Sequence, residues 1–380
     1  MALGKETYDV IVVGAGPAGL NAAWLIAEKG YSVLVLEAKE EVGKDVICTG
    51  ILGKETFERF NFSRTSIIND VQKVRVVSPF GTTLYYDHPS SFAFVVDRKK
   101  FDKSLLQSAL DRGVEVALSF KVSDARVQKD HVQVIGTDRV SKDREFRGKV
   151  MILSTGVEHD LNKKLGLGYP RRFVRAAQKY IRYGGNEDVS LLVGNKIAKG
   201  GFGWIVPVED GMALAGLMTE ANPKSSFSTM MNLCRLEEEE EELQLKPIAQ
   251  GVVSKTFGER VLVVGEAAGQ VKTTTGGGVF FGLVCAEIAS NVIDQSFKDG
   301  DFSDKKLSLY ERQWKAQIGT EIRLGIVARK LCGKLKDQQV EKIFSLVQTD
   351  GFFDFIAKNA DFDWHGKFVL RLFKMLAGFN

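Results

Sequence analysis

Residues 10–37 read VIVVGAGPAGLNAAWLIAEKGYSVLVLE, and no other segment constrains the fold as much. An apolar run at 10–13 ends in Gly14-Ala15-Gly16-Pro17-Ala18-Gly19. A helix-like stretch follows, and a second apolar run at 33–36 ends in Glu37. Strand, glycine turn, helix, strand and acid is the order of a dinucleotide-binding βαβ unit. Gly14 permits the tight turn, Gly16 lets the backbone approach a pyrophosphate, and Gly19 lets the helix pack closely on the strand. The helix start offers free N–H groups and a positive dipole end to the phosphates. A lone GxGxxG carries little; the flanking strands and an acid placed to accept from a ribose make the reading specific.

The chain's 380 residues suffice for a large single domain or two intertwined ones. Hydrophobic content of 44% and charged content of 26% describe an ordinary globular protein with a real core. A net charge of +4 makes no case for nucleic acid. Cys48, Cys234, Cys285 and Cys332 are far apart with no CxxC pair, which argues against a metal site and against a disulfide framework. A reducing cytoplasm is the expected setting. The start, MALGKETYD, is too short and polar for a signal peptide. No uninterrupted apolar stretch reaches transmembrane length.

Beyond residue 37 the pattern changes. Segments 73–78, 82–86 and 92–96 alternate and are broken by Pro79-Phe80-Gly81 and Pro89, as in antiparallel sheet. Phe101, Leu105, Leu106 and Leu110 give 97–113 a helical period. Residues 114–118 resemble a strand. Segments 122–127, 132–137 and the charged 138–149 read as a meander, and 150–153 as another short strand closing in Ser154-Thr155-Gly156. Short strand patterns recur through 170–260, among them 190–194, 202–207 and 212–217, and from about 300 the pattern is helical. The expected fold is α/β with α+β insertions. A Rossmann-like nucleotide-binding domain is split over 1–72, 97–160 and 250–300. An antiparallel-sheet substrate domain occupies 73–96 and 161–249, and C-terminal helices fill 301–380. The six acids at 237–242 read as a solvated helix face.

A second glycine-bearing turn lies at 259–283, ERVLVVGEAAGQVKTTTGGGVFFGL. Glu266, at a strand end, can accept from a hydroxyl of a ribityl chain. Gly276-Gly277-Gly278 then opens a helix near Val279, and its N-terminus carries partial positive charge. A reduced flavin carries negative charge on its pyrimidine side and needs such help; a nicotinamide does not. The two turns together favour FAD over NAD.

GAGPAG, VDRKKFD at 96–102 and VGEAAGQVKTTTGGGVFFGL together resemble the geranylgeranyl reductase family of FAD enzymes, within the para-hydroxybenzoate hydroxylase fold group. The resemblance spans about residues 8–300. It implies reduction of isolated C=C bonds in a prenyl lipid. It also implies FAD contacts from Gly14, Gly16, Ala18, Gly19, Glu37 and Ala38. Cys48, Thr49 and Ile51 would border the flavin, Arg98 would reach the phosphates, and backbone at Val122 would meet the adenine. Glu266 stands where the family usually has Asp. Gly277, Gly278 and Val279 would meet the isoalloxazine. The family's PxxYxWxFP segment corresponds here to KGGFGWIVP at 199–207, which keeps the Trp and the final Pro. This places Phe202, Trp204 and Val206 beside the substrate.

Hydride transfer from reduced FAD to an alkene needs a proton for the other carbon. Cys48 or an ordered water is the expected donor. The absence of a second dinucleotide fingerprint leaves NAD(P)H, ferredoxin or another carrier as the reductant. Three rivals stand. One is a flavin-dependent halogenase, whose WxWxIP pattern residues 202–207 loosely match. The others are an aromatic hydroxylase and a flavoprotein electron carrier. The C-terminal segment 351–380 mixes aromatic and basic residues at roughly helical spacing. It fits a peripheral membrane contact or docking over the protein's own substrate cavity.

Overall fold

The computed structural model describes residues 5–140, 142–185, 187–237, 241–347 and 360–377, with backbone only for 372–377. It divides into two compact units. The first comprises Met1–Val46, Arg98–Arg172 and Ala249–Ile322; the second comprises Ile47–Asp97, Phe173–Ile248 and Arg323–Asn380. Residues 47–72 thus fall in the second unit and 301–322 in the first, where the sequence reading drew its lines at 72 and 300.

The first unit is built on an eight-stranded sheet. Its parallel part runs in the order Val261–Val263, Asp143–Leu153, Thr7–Val13, Val33–Leu36, Glu115–Ala117. The central strands are buried on both faces, so Val10, Ile11, Val12, Leu34 and Val35 form a continuous apolar run rather than an alternating one. Helix Pro17–Ala27 begins with Pro at its first position, where the missing N–H costs nothing. The meander of Lys121–Val127 and Val132–Thr137 is antiparallel. It continues into one 11-residue strand, Asp143–Leu153, not into a charged stretch followed by a separate short strand. The first half of that strand pairs antiparallel with Val132–Thr137 and alternates in burial. Its second half pairs parallel with Thr7–Val13, and its last four residues, 150–153, are all buried. The change of partner changes the apolar period midway, so the sequence pattern looks like two elements.

The second unit holds a seven-stranded and a three-stranded sheet. In the larger, Phe173–Arg182, Met212–Thr219, Phe202–Pro207 and Val189–Val193 pair antiparallel in turn, as do Lys73–Val77 and Thr83–Asp87, whereas Lys73–Val77 and Val189–Val193 run parallel. Strand Ala93–Val96, expected beside the hairpin 73–87, instead joins Ile51–Gly53 and Ile67–Val71 in the three-stranded sheet. Alternation divides the core. On strand Phe202–Pro207, Trp204 and Val206 point to a cluster with Val71, Val95, Val174, Leu214 and Met218. Ile205 points the other way, towards Phe227, Met230 and Met231 of helix Pro223–Cys234. The strand reading of 170–260 overlooked that helix, although Asn222 caps it by accepting from the backbone N–H groups of Lys224 and Ser225.

Helix Asp337–Val347 lays Phe344 and Val347 against Leu84 of the hairpin. Further on, Phe362 packs against Phe92 with ring centroids 6.0 Å apart, and Trp364 donates to Glu55 at 2.8 Å. The rest of the C-terminal reading, at 351–359, 378–380 and the side chains of 372–377, lies outside the described residues, as do 238–240 of the acidic run. No described helix is long and apolar enough to cross a membrane.

Candidate functional site

The three glycines of the first turn have three different surroundings. Gly14 has φ +105°, and a Cβ there would lie 2.4 Å from the Ser154 carbonyl oxygen. A Cβ on Gly19 would lie 2.1 Å from the Gly14 carbonyl and 2.4 Å from Ser154 Oγ. A Cβ on Gly16 would meet nothing within 4 Å. So Gly14 is fixed by conformation and Gly19 by helix-on-strand contact, while Gly16 leaves open space at the start of helix Pro17–Ala27. No side chain caps that helix start. An uncapped first turn beside an unfilled glycine is a cradle of the size and polarity that a phosphate needs. Ser154, which the sequence reading did not single out, donates to the Val13 and Gly14 carbonyls at 3.0 and 2.9 Å and locks the turn.

Glu37 closes the second strand. Its carboxylate accepts from the Ala15 N–H at 2.7 Å and the Lys39 N–H at 2.9 Å, so it is held beside the glycine turn and flanks Ala38. The Glu37 carbonyl accepts from Phe120 N–H at 2.8 Å, which brings Val122 near the same edge. Carboxylate oxygens have lone pairs to spare beyond these two bonds. The Glu37 carboxylate and the open space at Gly16 therefore lie on either side of the same glycine turn.

Arg98 begins helix Arg98–Leu110. Its Nε and Nη2 donate to the Asp102 carboxylate at 3.0–3.2 Å. Asp102, missed from sequence, is buried. Burial pushes its carboxyl above the ordinary range, opposed by the charges of Arg98 and Lys39. The pair holds the guanidinium in one fixed orientation. Spacing does place the two on one face at i, i+4, but many surface pairs share that spacing.

The second turn meets the first through small residues. A Cβ on Gly265 would come 3.0 Å from Ala18 Cβ, and one on Gly282 would come 3.2 Å from the same atom. Helices Pro17–Ala27 and Val279–Asp299 thus pack with their starts in register, and the two glycine-bearing turns converge. Glu266 lies in the short 3₁₀ turn Gly265–Ala268, half-buried. Asn162 donates to the Ala267 carbonyl at 2.9 Å. Gln270 accepts from the Gly265 N–H at 2.7 Å and donates to the Tyr310 hydroxyl at 2.9 Å, and that hydroxyl donates to the Val263 carbonyl at 2.9 Å. This buried network fixes the carboxylate-bearing turn to helix Asp304–Cys332. Nearby His159 has its imidazole lowered from its ordinary value by burial, against the opposing charge of Glu266.

The glycine run has a reason the sequence did not reveal. Gly276 has φ +80°. A Cβ on Gly277 would come 2.9 Å from Lys272 Cε, and one on Gly278 would come 3.0 Å from Val271 Cγ1. The chain itself fills the space beside these glycines, whether or not a ring approaches. Val279 then begins its helix immediately after Gly278.

Cys48, Thr49 and Ile51 belong to the second unit. Cys48 Sγ is half-buried and accepts from the Gly50 N–H at 3.4 Å, and Val96 N–H binds the Gly50 carbonyl at 2.8 Å. Trp204 and Val206 are buried in the apolar cluster, and Phe202 is partly exposed at its margin. Trp204 Nε1 is buried with no hydrogen-bond partner among the described residues.

Comparisons with known proteins agree with this layout. A family model described as NAD(P)-binding Rossmann-like domain matches residues 12–54, and one described as tryptophan halogenase matches residues 61–328. Digeranylgeranylglycerophospholipid reductase 1 of Methanococcoides burtonii is 28% identical over 374 residues, covering 93% of this chain and 92% of that protein. Digeranylgeranylglycerophospholipid reductase of Methanosarcina acetivorans is 28% identical over 358 residues, covering 89% and 88%. These relatives bear out the resemblance noted from the motifs. Among solved structures, a geranylgeranyl bacteriochlorophyll reductase-like protein from Thermoplasma acidophilum superposes with a TM-score of 0.85 at 22% identity, covering 98% and 99% of the two chains. A flavin-dependent brominase superposes with a TM-score of 0.72 at 18% identity, covering 98% and 100%. Both share the fold.

Proposed function

The chain belongs to the family that the tryptophan halogenase model describes, and from that premise we propose a flavin-dependent reductase that saturates isolated C=C bonds of a prenyl, geranylgeranyl-type lipid. Membership in the family sets the architecture; the reaction is a separate question. One observation carries the reductase reading: relatives named for lipid reduction align over 93% and 89% of the chain.

FAD, when bound, supplies the hydride chemistry. The first turn of helix Pro17–Ala27 and the space at Gly16 hold its pyrophosphate, between Gly14, Ala18 and Gly19. Glu37 and Ala38 hold the adenosine ribose, and Val122 backbone meets the adenine. Arg98, kept in place by Asp102, reaches the phosphates. Glu266 accepts from the ribityl chain, and the start of the helix at Gly277, Gly278 and Val279 receives the ring's pyrimidine end. In the second unit, Phe202, Trp204 and Val206 hold the prenyl chain. Cys48, Thr49 and Ile51 border the flavin, and Cys48 or an ordered water supplies the proton that the second alkene carbon takes. NAD(P)H, ferredoxin or another carrier protein delivers the electrons. Docking of Phe362 and Trp364 on the second unit supports the C-terminal segment as a cover for its apolar cluster over a membrane contact through 351–380.

The test is to reduce the bound flavin without dioxygen, add prenyl lipids, and follow reoxidation with mass gain in the lipid. Reoxidation only by dioxygen with halide or an aromatic compound would support the halogenase or hydroxylase. Reoxidation only by a protein or quinone would support the electron carrier. Full turnover in Cys48→Ala removes Cys48 from the reaction.

A further inference from the structure

The role given above to Trp204 needs only its ring and leaves its N–H unused. Trp204 is 6% exposed, and its Nε1 is the buried donor that no described residue meets. Packing holds the indole. Trp204 pairs with Gly216 on the neighbouring strand Met212–Thr219, and a Cβ on Gly216 would come 2.6 Å from Cε2, Cζ2 and Nε1 of the ring. The ring thus lies over the backbone where that strand carries no side chain. The Phe202 ring stands edge-on to it, with centroids 6.0 Å apart and planes at 63°. Contacts on the body of the indole therefore fix its N–H before any acceptor arrives, which keeps the ordering cost of a bond to it low.

The surrounding cluster has little to offer that donor. Its side chains are hydrocarbon, among them Val71, Val95, Val174 and Leu214, except for the Met218 sulfur, a weak acceptor that already takes a bond from Arg329 Nη1 at 3.6 Å. A buried donor without a partner is destabilising, and phenylalanine would fill much of the same space without that cost. An indole nitrogen donates and does not accept, so the group that completes it is an acceptor. A phosphate or carboxylate buried here would need far more than one neutral donor. One neutral oxygen, as in an ether, matches one neutral donor in apolar surroundings.

We propose that the Trp204 N–H donates to a neutral oxygen at the head of the prenyl chain, and that this bond makes the site prefer an oxygen-bearing prenyl lipid to a bare hydrocarbon of the same length. The inference rests on the prenyl-lipid reading above. It concerns binding alone, so it is independent of the flavin, the electron donor and the proton donor.

The experiment measures equilibrium binding of two radiolabelled probes to the full chain. One is geranylgeranyl methyl ether; the other is the hydrocarbon in which CH2 replaces the ether oxygen. Wild type is compared with Trp204→Phe and with a protein carrying benzothienylalanine at position 204, an isostere of tryptophan with sulfur in place of the N–H. The ratio of ether to hydrocarbon affinity is expected to be about tenfold higher in wild type than in the isostere protein, equivalent to 1.4 kcal/mol. Trp204→Phe loosens the packing and weakens both probes, and is expected to show the same fall in the ratio. An isostere protein with the wild-type ratio overturns the proposal, and a water in place of the lipid oxygen would give that result. If wild type binds neither probe, the prenyl-lipid reading fails and this inference with it. If it binds both and the ratio does not change in either variant, only this inference fails.

Discussion

Gly16 and Gly19 stand three residues apart in one motif, and the structure gives opposite consequences for the same added methyl group. At Gly19 a Cβ would sit 2.1 Å from a backbone carbonyl and 2.4 Å from Ser154 Oγ, which two hydrogen bonds hold in place. Neither atom is the free end of a flexible side chain, so strand and helix must separate. Overpacking of this kind costs about 1–3 kcal/mol, here at the upper end, and the better helix propensity of Ala returns about 1 kcal/mol. The net loss for Gly19→Ala is about 2 kcal/mol, a sizeable part of the roughly 5–15 kcal/mol that separates folded from unfolded states. At Gly16 the methyl meets nothing, and φ −74°, ψ 175° suits any residue. A poorer cap, about 0.5–1 kcal/mol, is offset by lower unfolded-state entropy, about 0.4–1 kcal/mol. Gly16→Ala should unfold within about 0.5 kcal/mol of wild type by these terms. Its methyl occupies the phosphate cradle, so FAD affinity should fall at least about tenfold, or 1.4 kcal/mol. Denaturant unfolding of the apoproteins and fluorescence titration with FAD measure the two quantities separately. A stable Gly16→Ala protein that binds FAD like wild type refutes the cradle.

Further outcomes follow from the buried charges and networks. Arg98→Ala leaves the Asp102 carboxylate buried without its main partner and should destabilise the apoprotein by about 3 kcal/mol, whereas Arg98→Met with Asp102→Leu should recover most of the loss; chemical denaturation of both variants checks this. Tyr310→Phe removes hydroxyl bonds to the Val263 carbonyl and Gln270, and should lower unfolding free energy by about 1–2 kcal/mol and weaken FAD binding through the Glu266 turn. His159 has a depressed value in the folded state, so the unfolded chain binds more protons in acid. Its contribution is fully present above its ordinary 6.5 and is lost as pH falls below that through the folded value. Melting temperature against pH should therefore fall less steeply on the acid side in His159→Gln than in wild type, and parallel curves would exclude this residue as the cause.

How much was legible depended on the distance over which each interaction acts. The first βαβ unit could be read because strand period, glycine turn and acid are all encoded within about thirty residues. Helix Val279–Asp299 is legible from its glycine start for the same reason, and Asn222-Pro223 is an equally local helix-start signal. Strand Asp143–Leu153 is not legible as one element because its halves serve different neighbours. Residues 202–206 carried a motif, but only the sheet shows that Trp204 and Val206 share one face and Ile205 the other.

The chain by itself determined the dinucleotide unit and the roles open to Gly14, Gly16 and Gly19, because backbone conformation and helix periodicity are local properties. Tertiary packing alone decided that Gly16 faces open space while Gly277 faces Lys272, that Asp102 holds Arg98, and that Tyr310 and Gln270 steady the turn bearing Glu266. Those contacts depend on where distant segments come to rest, and spacing along a sequence does not record which atoms fill the room beside a missing side chain.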